Sequence, residues 1–135
     1  MTAPTEIPDL SRAEYSIMKV LWRSGRQTIR EVHDQLNPTQ QWAYSTTKTM
    51  MDRMVKKGLL TREKFHGIFL YQPRVSRPAG LVRMVQFFAD RVLETDYGTV
   101  INLFARSNTL SEMEIEELSR LLYEDDQSTE DQNEG

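Results

Sequence analysis

Residues 43–72 read AYSTTKTMMDRMVKKGLLTREKFHGIFLYQ, and a change of period inside this stretch decides the fold. A helix begins between Ala43 and Ser45 and runs to Lys57, with Gly58 as its stop. Thr47, Met50, Met51, Met54 and Val55 fall on one stripe at the helical spacing of about 3.6 residues. Ser45, Thr49, Asp52, Arg53 and Lys56 fall on the other side, with Thr46 and Lys48 at its margins. The period then shortens: residues 59–65 and 68–72 read as two strands around His66-Gly67, a two-residue turn signal.

Upstream lie two shorter helices with the same entry signal. Ser11-Arg12-Ala13-Glu14 and Thr28-Ile29-Arg30-Glu31 are capping boxes, in which the hydroxyl accepts from an orphan amide and the Glu reaches back. The first opens a helix with Ile17, Met18, Leu21 and Trp22 on its apolar side and Gly25 at its end. The second carries Ile29, Val32 and Leu36, and Asn37-Pro38 is predicted to stop it, because a residue before proline disfavours the helical basin. Three helices followed by a hairpin is the order of a winged helix-turn-helix. The predicted class is mainly α with a small β-hairpin wing, followed by a helical domain.

Downstream, Pro73 and Pro78 bracket a predicted linker. Leu81, Met84, Val85, Phe88 and Val92 then mark one long amphipathic helix, widened by Phe87 and Leu93. Tyr97, Val100, Ile101 and Phe104 give a second set, and Ser111-Glu112-Met113-Glu114 is a third capping box ahead of Ile115, Leu118 and Leu122. From Glu124 to Gly135 there are six acids, no base and no large apolar residue, so a disordered acidic tail is expected. The predicted organisation is a flexible start (1–9), a winged-helix domain (10–76), a helical dimerisation domain (77–123) and the tail (124–135).

Composition narrows the function. A chain of 135 residues with 39% hydrophobic residues can bury a core. It has no Cys and two His, His33 and His66, which leaves no thiol nucleophile, no thiolate metal site and a poor supply for a His-based one. There is no phosphate-cradling Gly-rich loop and no His pair at metal-binding helical spacing, so neither an enzyme nor a cofactor or metal site is expected. Met1 to Leu10 lacks the basic start and apolar stretch of a secretory signal, and a cytoplasmic protein is expected. The net charge of −3 hides an asymmetry. Through Pro78 there are 13 Lys/Arg against 7 Asp/Glu; beyond it, 4 against 13. Between Trp42 and Lys64 six Lys/Arg face two acids, an electrostatic footprint for nucleic acid.

These residues carry a resemblance. Leu10-Ser11-Arg12-Ala13-Glu14 with Met18 and Leu21-Trp22 is similar to the opening of the BlaI/MecI/CopY family of bacterial repressors. So are Trp42, Thr46-Thr47-Lys48-Thr49, Arg53 with Lys56-Lys57-Gly58, the wing ending in Tyr71, and Leu110-Ser111 followed by Glu114-Ile115-Glu116-Glu117-Leu118. The resemblance spans Leu10 to Tyr123, in order. It implies a homodimeric repressor of resistance genes that binds palindromic operators, with a sensor protease as a partner that cuts near the dimerisation helices. Two departures bear on the signal. The copper-responsive branch binds metal through C-terminal cysteines, and this chain has none. Where the penicillinase branch is cut between Asn and Phe, the aligned pair is Leu103-Phe104, with Asn102 one position early, which counts against induction at this bond.

The resemblance places Ser45 and Thr46 at the base-reading start of the third helix; the plainer alternative is that Ser45 only caps it. Lys48, Thr49, Arg53 and Lys56 are candidate contacts along the same helix, and Arg62 and Lys64 on the wing are candidate phosphate contacts. His66 at the wing tip, and Thr28 and Arg30 at the start of the second helix, are further candidates. Trp42 either touches a phosphate or buttresses the loop before the third helix, whereas Trp22 and the methionines read as core and His33 as surface. Dimerisation is assigned to Leu81, Met84, Val85, Phe88, Val92, Val100, Ile101, Phe104, Ile115, Leu118 and Leu122, because the short helices cannot cover both apolar faces of 81–93 alone. Two alternatives stay open: a winged-helix adaptor that binds protein instead of DNA, and a repressor controlled by a ligand at the 73–80 hinge.

Overall fold

The computed structural model describes the backbone of residues 7–133 and the side chains of residues 7–127. The chain divides into two compact units, with the division between Ser76 and Arg77.

In the first unit, α1 (Arg12–Ser24) and α2 (Ile29–Gln40) each start on a formed capping box. Ser11 Oγ accepts from the Glu14 amide at 3.1 Å while Glu14 accepts from the Ser11 amide at 2.9 Å, and Thr28 and Glu31 repeat the exchange. α2 does not stop at Asn37-Pro38 as predicted. It runs to Gln40 and ends on Gln41 in the left-handed region, whose N–H donates to the Asn37 carbonyl. Proline forfeits one ladder bond there, and the last turn is held instead by that bond and by Thr39 Oγ1 on the Leu36 carbonyl.

The third helix, α3 (Tyr44–Lys56), has Ala43 as its N-cap, with no side-chain cap bond. Ser45 therefore lies inside the first turn, and capping is not its role. The helix leaves through a Schellman turn: Gly58 at φ 82° donates to Val55, and Leu59 to Met54. The chain then forms β1 (Leu60–Phe65) and β2 (Ile68–Pro73), antiparallel with Phe65 opposite Ile68. His66 and Gly67, at φ 50° and 81°, make the primed two-residue turn that suits the twist of the strands. Gln27 and Tyr71 exchange both backbone bonds, at 3.0 and 2.7 Å, so the loop before α2 adds a single rung beside β2.

The core of this unit is Ile17, Met18, Val20 and Leu21 of α1, Ile29, Val32 and Leu36 of α2, and Met51 and Met54 of α3, closed by Leu59, Leu60 and Tyr71. Three buried polar groups tie its parts together. Glu14, on α1, accepts from Lys57 Nζ at 2.6 Å; burial pushes its carboxyl up, but that bond and the Ser11 bonds bring it below the usual range. Gln27 donates to the Val20 and Gly25 carbonyls and accepts from Gln35. His33, expected on the surface, is buried, with Nδ1 2.9 Å from Thr47 Oγ1. It sits one helical turn after Ile29 on the inward side, and α3 supplies the hydroxyl that makes its burial tolerable. Trp22 is half-buried and donates to the Val75 carbonyl at 3.0 Å.

The second unit contains α4 (Arg77–Phe87), a π-helical segment (Phe88–Val92), α5 (Tyr97–Arg106) and α6 (Glu112–Asn133). Three expectations are corrected here. The linker ends at Ser76: Pro78 sits in the first turn of α4, where its missing N–H costs nothing, and Pro78, Ala79 and Gly80 are buried. The single helix over 81–93 changes to a wider turn at Phe88, with the Leu93 amide bonded to the Phe88 carbonyl. The segment from Glu124 continues α6 to Asn133. Its first acids have partners on other helices: Asp125 accepts from Arg83 at 2.9 Å and Gln86 at 2.6 Å, and Asp126 from the Tyr97 hydroxyl at 3.3 Å. Residues 134–135, the end of the expected tail, lie outside the described residues, as does much of the expected flexible start.

α6 opens on the third capping box, Ser111 with Glu114, and Glu114 also takes both Arg77 Nε at 2.8 Å and Nη2 at 2.6 Å. This forked bond is the main reason the Glu114 carboxyl is held at about 2. A carboxylate held below its free value stabilises the fold above pH ~4.5 and loses that contribution as pH falls toward 2. Thermal melts across that window should therefore show a steep loss in the wild-type protein and a shallower one in Glu114→Gln. Equal slopes would show that the pair contributes nothing.

Candidate nucleic-acid interface

The burial of α3 divides as the stripe requires. Thr47, Met51 and Met54 are buried, whereas Ser45, Thr46, Lys48, Thr49, Arg53 and Lys56 are all exposed. The outward side thus offers hydroxyls in its first turn and cations further along. Asp52 stands among them and gathers its surroundings. Lys48 Nζ donates to Oδ2 at 2.8 Å, while Arg62 Nη1 at 3.3 Å and the Tyr71 hydroxyl at 2.9 Å donate to Oδ1. Burial pushes the Asp52 carboxyl up, yet the Lys48 and Tyr71 bonds outweigh it and the carboxyl sits below the usual range. The same contact raises Lys48 above the ordinary lysine value.

The hairpin register explains how the wing reaches α3. Arg62 stands opposite Tyr71 and Lys64 opposite Phe69, so all four share one face of the ribbon. The Arg62 guanidinium lies 4.6 Å from the Phe69 ring centroid and the Lys64 ammonium 5.9 Å. His66 is exposed at the tip, flanked by exposed Phe65 and Ile68. Arg26, before α2, pairs with Glu63 of the wing at 3.6 Å.

The remaining candidates are more occupied. The Thr28 hydroxyl is spent on the Glu31 amide. Arg30 is exposed over the Tyr44 ring at 4.2 Å, and Trp42 is half-buried against the core, the buttressing arrangement. Sequence reasoning placed Asp52 on the polar side but gave it no role, and it missed Tyr44, whose ring lies between Arg30 and His33. The i, i+4 spacing of Lys48 and Asp52 was the available signal for the first; nothing local announces the second.

In the second unit, Leu81, Val85, Val100, Leu118 and Leu122 are consumed by the unit's own core, with Val82, Ala89, Leu110 and Leu121. Met84, Ile101, Phe104 and Ile115 are half-buried. Phe88 and Val92 remain exposed, as do Phe87, Leu93 and Leu103. Leu103 and Phe104 lie within α5, so the bond between them is part of a helix. No helix among the described residues is long and apolar enough to cross a membrane.

The penicillinase repressor family model matches residues 10–124. The chain belongs to that family. Membership makes it a DNA-binding transcriptional repressor. The penicillinase repressor of Bacillus licheniformis is 31% identical over 119 residues, covering 88% of this chain and 93% of that one. The methicillin resistance regulatory protein MecI of Staphylococcus aureus strain N315 is 25% identical over 114 residues, covering 84% and 93%. Among solved structures, the monomeric form of B. licheniformis BlaI in complex with the blaP half-operator aligns with 35% identity and a TM-score of 0.49, covering 55% of this chain and 90% of that one.

Proposed function

We propose that the repressor acts as a homodimer on a palindromic operator, with α3 in the major groove and the hairpin along the sugar–phosphate backbone. One observation carries this reading: every hydroxyl and cation assigned to DNA on α3 is exposed, while the apolar stripe of the same helix is buried. In this arrangement Ser45, Thr46 and Thr49 meet base edges, and Lys48, Arg53, Lys56, Arg62 and Lys64 meet phosphates. His66 and Arg30 lie at the margins. Trp42 and Thr28 support the face without touching DNA. The dimer contact is made by the exposed Phe87, Phe88, Val92, Leu93 and Leu103, and a two-fold dimer sets its half-sites about 10–10.5 base pairs apart or at a multiple. Such a protein works in the cytoplasm, on the promoter it silences. Cleavage by a sensor protease at Leu103-Phe104 is disfavoured, because the bond is helical and lacks the Asn of the penicillinase branch.

Anisotropy titration of labelled DNA from upstream of the repressor's own gene, beside a scrambled duplex and across a salt series, tests the proposal. Preference for the upstream duplex by ~10³ or more is expected. Arg53→Ala should weaken binding to both duplexes and reduce the log–log salt slope by about 0.9, the release of one counterion. Equal affinity for both duplexes would remove operator recognition, and no binding to either would favour a protein-binding adaptor.

A further inference from the structure

The outward side of α3 holds a carboxylate that a phosphate-binding face does not need. Asp52 is only 27% exposed at its side chain, and its three donors come from α3 itself, β1 and β2. Two of them, Lys48 and Arg62, are cations that the DNA-binding reading aims at phosphates. Among the described residues no carboxylate lies within ion-pair distance of Arg53, Lys56 or Lys64, the other cations of this face. Asp52 thus neutralises part of the basic footprint while leaving the rest untouched. Lys48 and Arg62 are 56% and 42% exposed, so both can turn away from it toward a closely docked backbone.

We propose that Asp52 is a specificity-determining residue, whose carboxylate restrains Lys48 and Arg62 and so penalises non-cognate DNA more than the operator. The inference rests on the DNA-binding reading of this face. Its logic is a difference of affinities. Binding to arbitrary duplex is almost entirely a matter of net charge and counterion release, so the carboxylate opposes it in full. A cognate site docks closely enough for its phosphates to draw Lys48 and Arg62 away. The released carboxylate keeps the Tyr71 hydroxyl and accepts from an amino group on a base edge, as an acid in the major groove does toward cytosine.

The test is Asp52→Asn in the full chain, titrated against the same operator and scrambled duplexes. One more effective positive charge should tighten scrambled-duplex binding about five-fold at ~0.15 M salt and steepen its log–log salt slope by about 0.9. Operator affinity should change less, so the discrimination ratio falls. Asp52→Ser removes the same charge with a shorter side chain and should move both quantities in the same direction. Tyr71→Phe cuts one of the two ties between wing and helix without altering charge, and should leave scrambled-duplex affinity within about two-fold. Affinities that fall together for both duplexes would show a purely structural Asp52 and overturn the proposal, as would two unchanged affinities. A wild-type protein that does not discriminate between the duplexes would instead sink the DNA-binding reading, and this inference with it.

Discussion

Tyr71→Ala is expected to cost the 10–76 unit about 3–5 kcal/mol, the usual loss for truncating a large buried aromatic side chain. Tyr71 is 1% exposed and closes the core against Met51, Met54 and Leu60 as one of its members. Its backbone exchanges two bonds with Gln27, and its hydroxyl reaches Asp52 at 2.9 Å. The residue therefore joins the wing to the loop before α2 through its backbone and to the outward side of α3 through its side chain. A unit of this size has about 3–10 kcal/mol in hand, so the substitution removes from about a third to all of it. Both tryptophans, Trp22 and Trp42, belong to this unit, and urea titration followed by their fluorescence reports on it selectively. Tyr71→Phe is the control. It keeps the ring and loses one hydrogen bond to a carboxylate, a change of about 1.5–3 kcal/mol at most. If the alanine variant were no less stable than the phenylalanine one, the ring would not be the keystone described above.

Phe88→Asp is expected to separate the proposed dimer and to lower affinity for a full operator by ~10²–10⁴, the avidity lost when two linked half-site contacts become independent. The ring is 49% exposed at the point where α4 gives way to the π-helical segment, so its removal leaves the core residues Leu81, Val85 and Ala89 untouched. A carboxylate there brings like charges together across a two-fold axis and must be desolvated on association. Sedimentation equilibrium should show a monomer where the wild type shows a dimer. Binding to an isolated half-site should not change, because the α3 face lies in the other unit. A Phe88→Asp protein that remains dimeric would move the interface elsewhere among the exposed apolar side chains.

The candidate interface was legible in part. Lys48, Arg53 and Lys56 could be placed on an outward side because the buried stripe Thr47, Met51, Met54 repeats within one helix, and a repeat is a local property. The wing could be placed because His66-Gly67 needs two positive φ angles at adjacent residues, which few pairs adopt. The cap role of Thr28 was legible too, from Glu31 three residues on. The half-burial of Trp42 against the core was not, because nothing within a turn of that residue encodes it. In the second unit the apolar pattern marked which side chains seek cover. It did not separate those covered within the chain, such as Leu118 and Leu122, from those left open, such as Phe88 and Val92.

The sequence by itself determined the elements and their order: the starts of α1, α2 and α6, the end of α3 and the hairpin turn. All of these follow from interactions between residues three to five apart, whose energies do not wait for the rest of the chain. Tertiary structure alone decided what depends on residues far apart in sequence. It paired Tyr71 with Gln27, buried His33 on Thr47, and fastened Asp125 and Asp126 to helices that precede them by many turns. It also drew Arg62 and Tyr71 onto Asp52, beside the Lys48 that helical spacing had already placed there. A single carboxylate has no preferred partner until packing has chosen which donors lie within reach and how much water is removed around it.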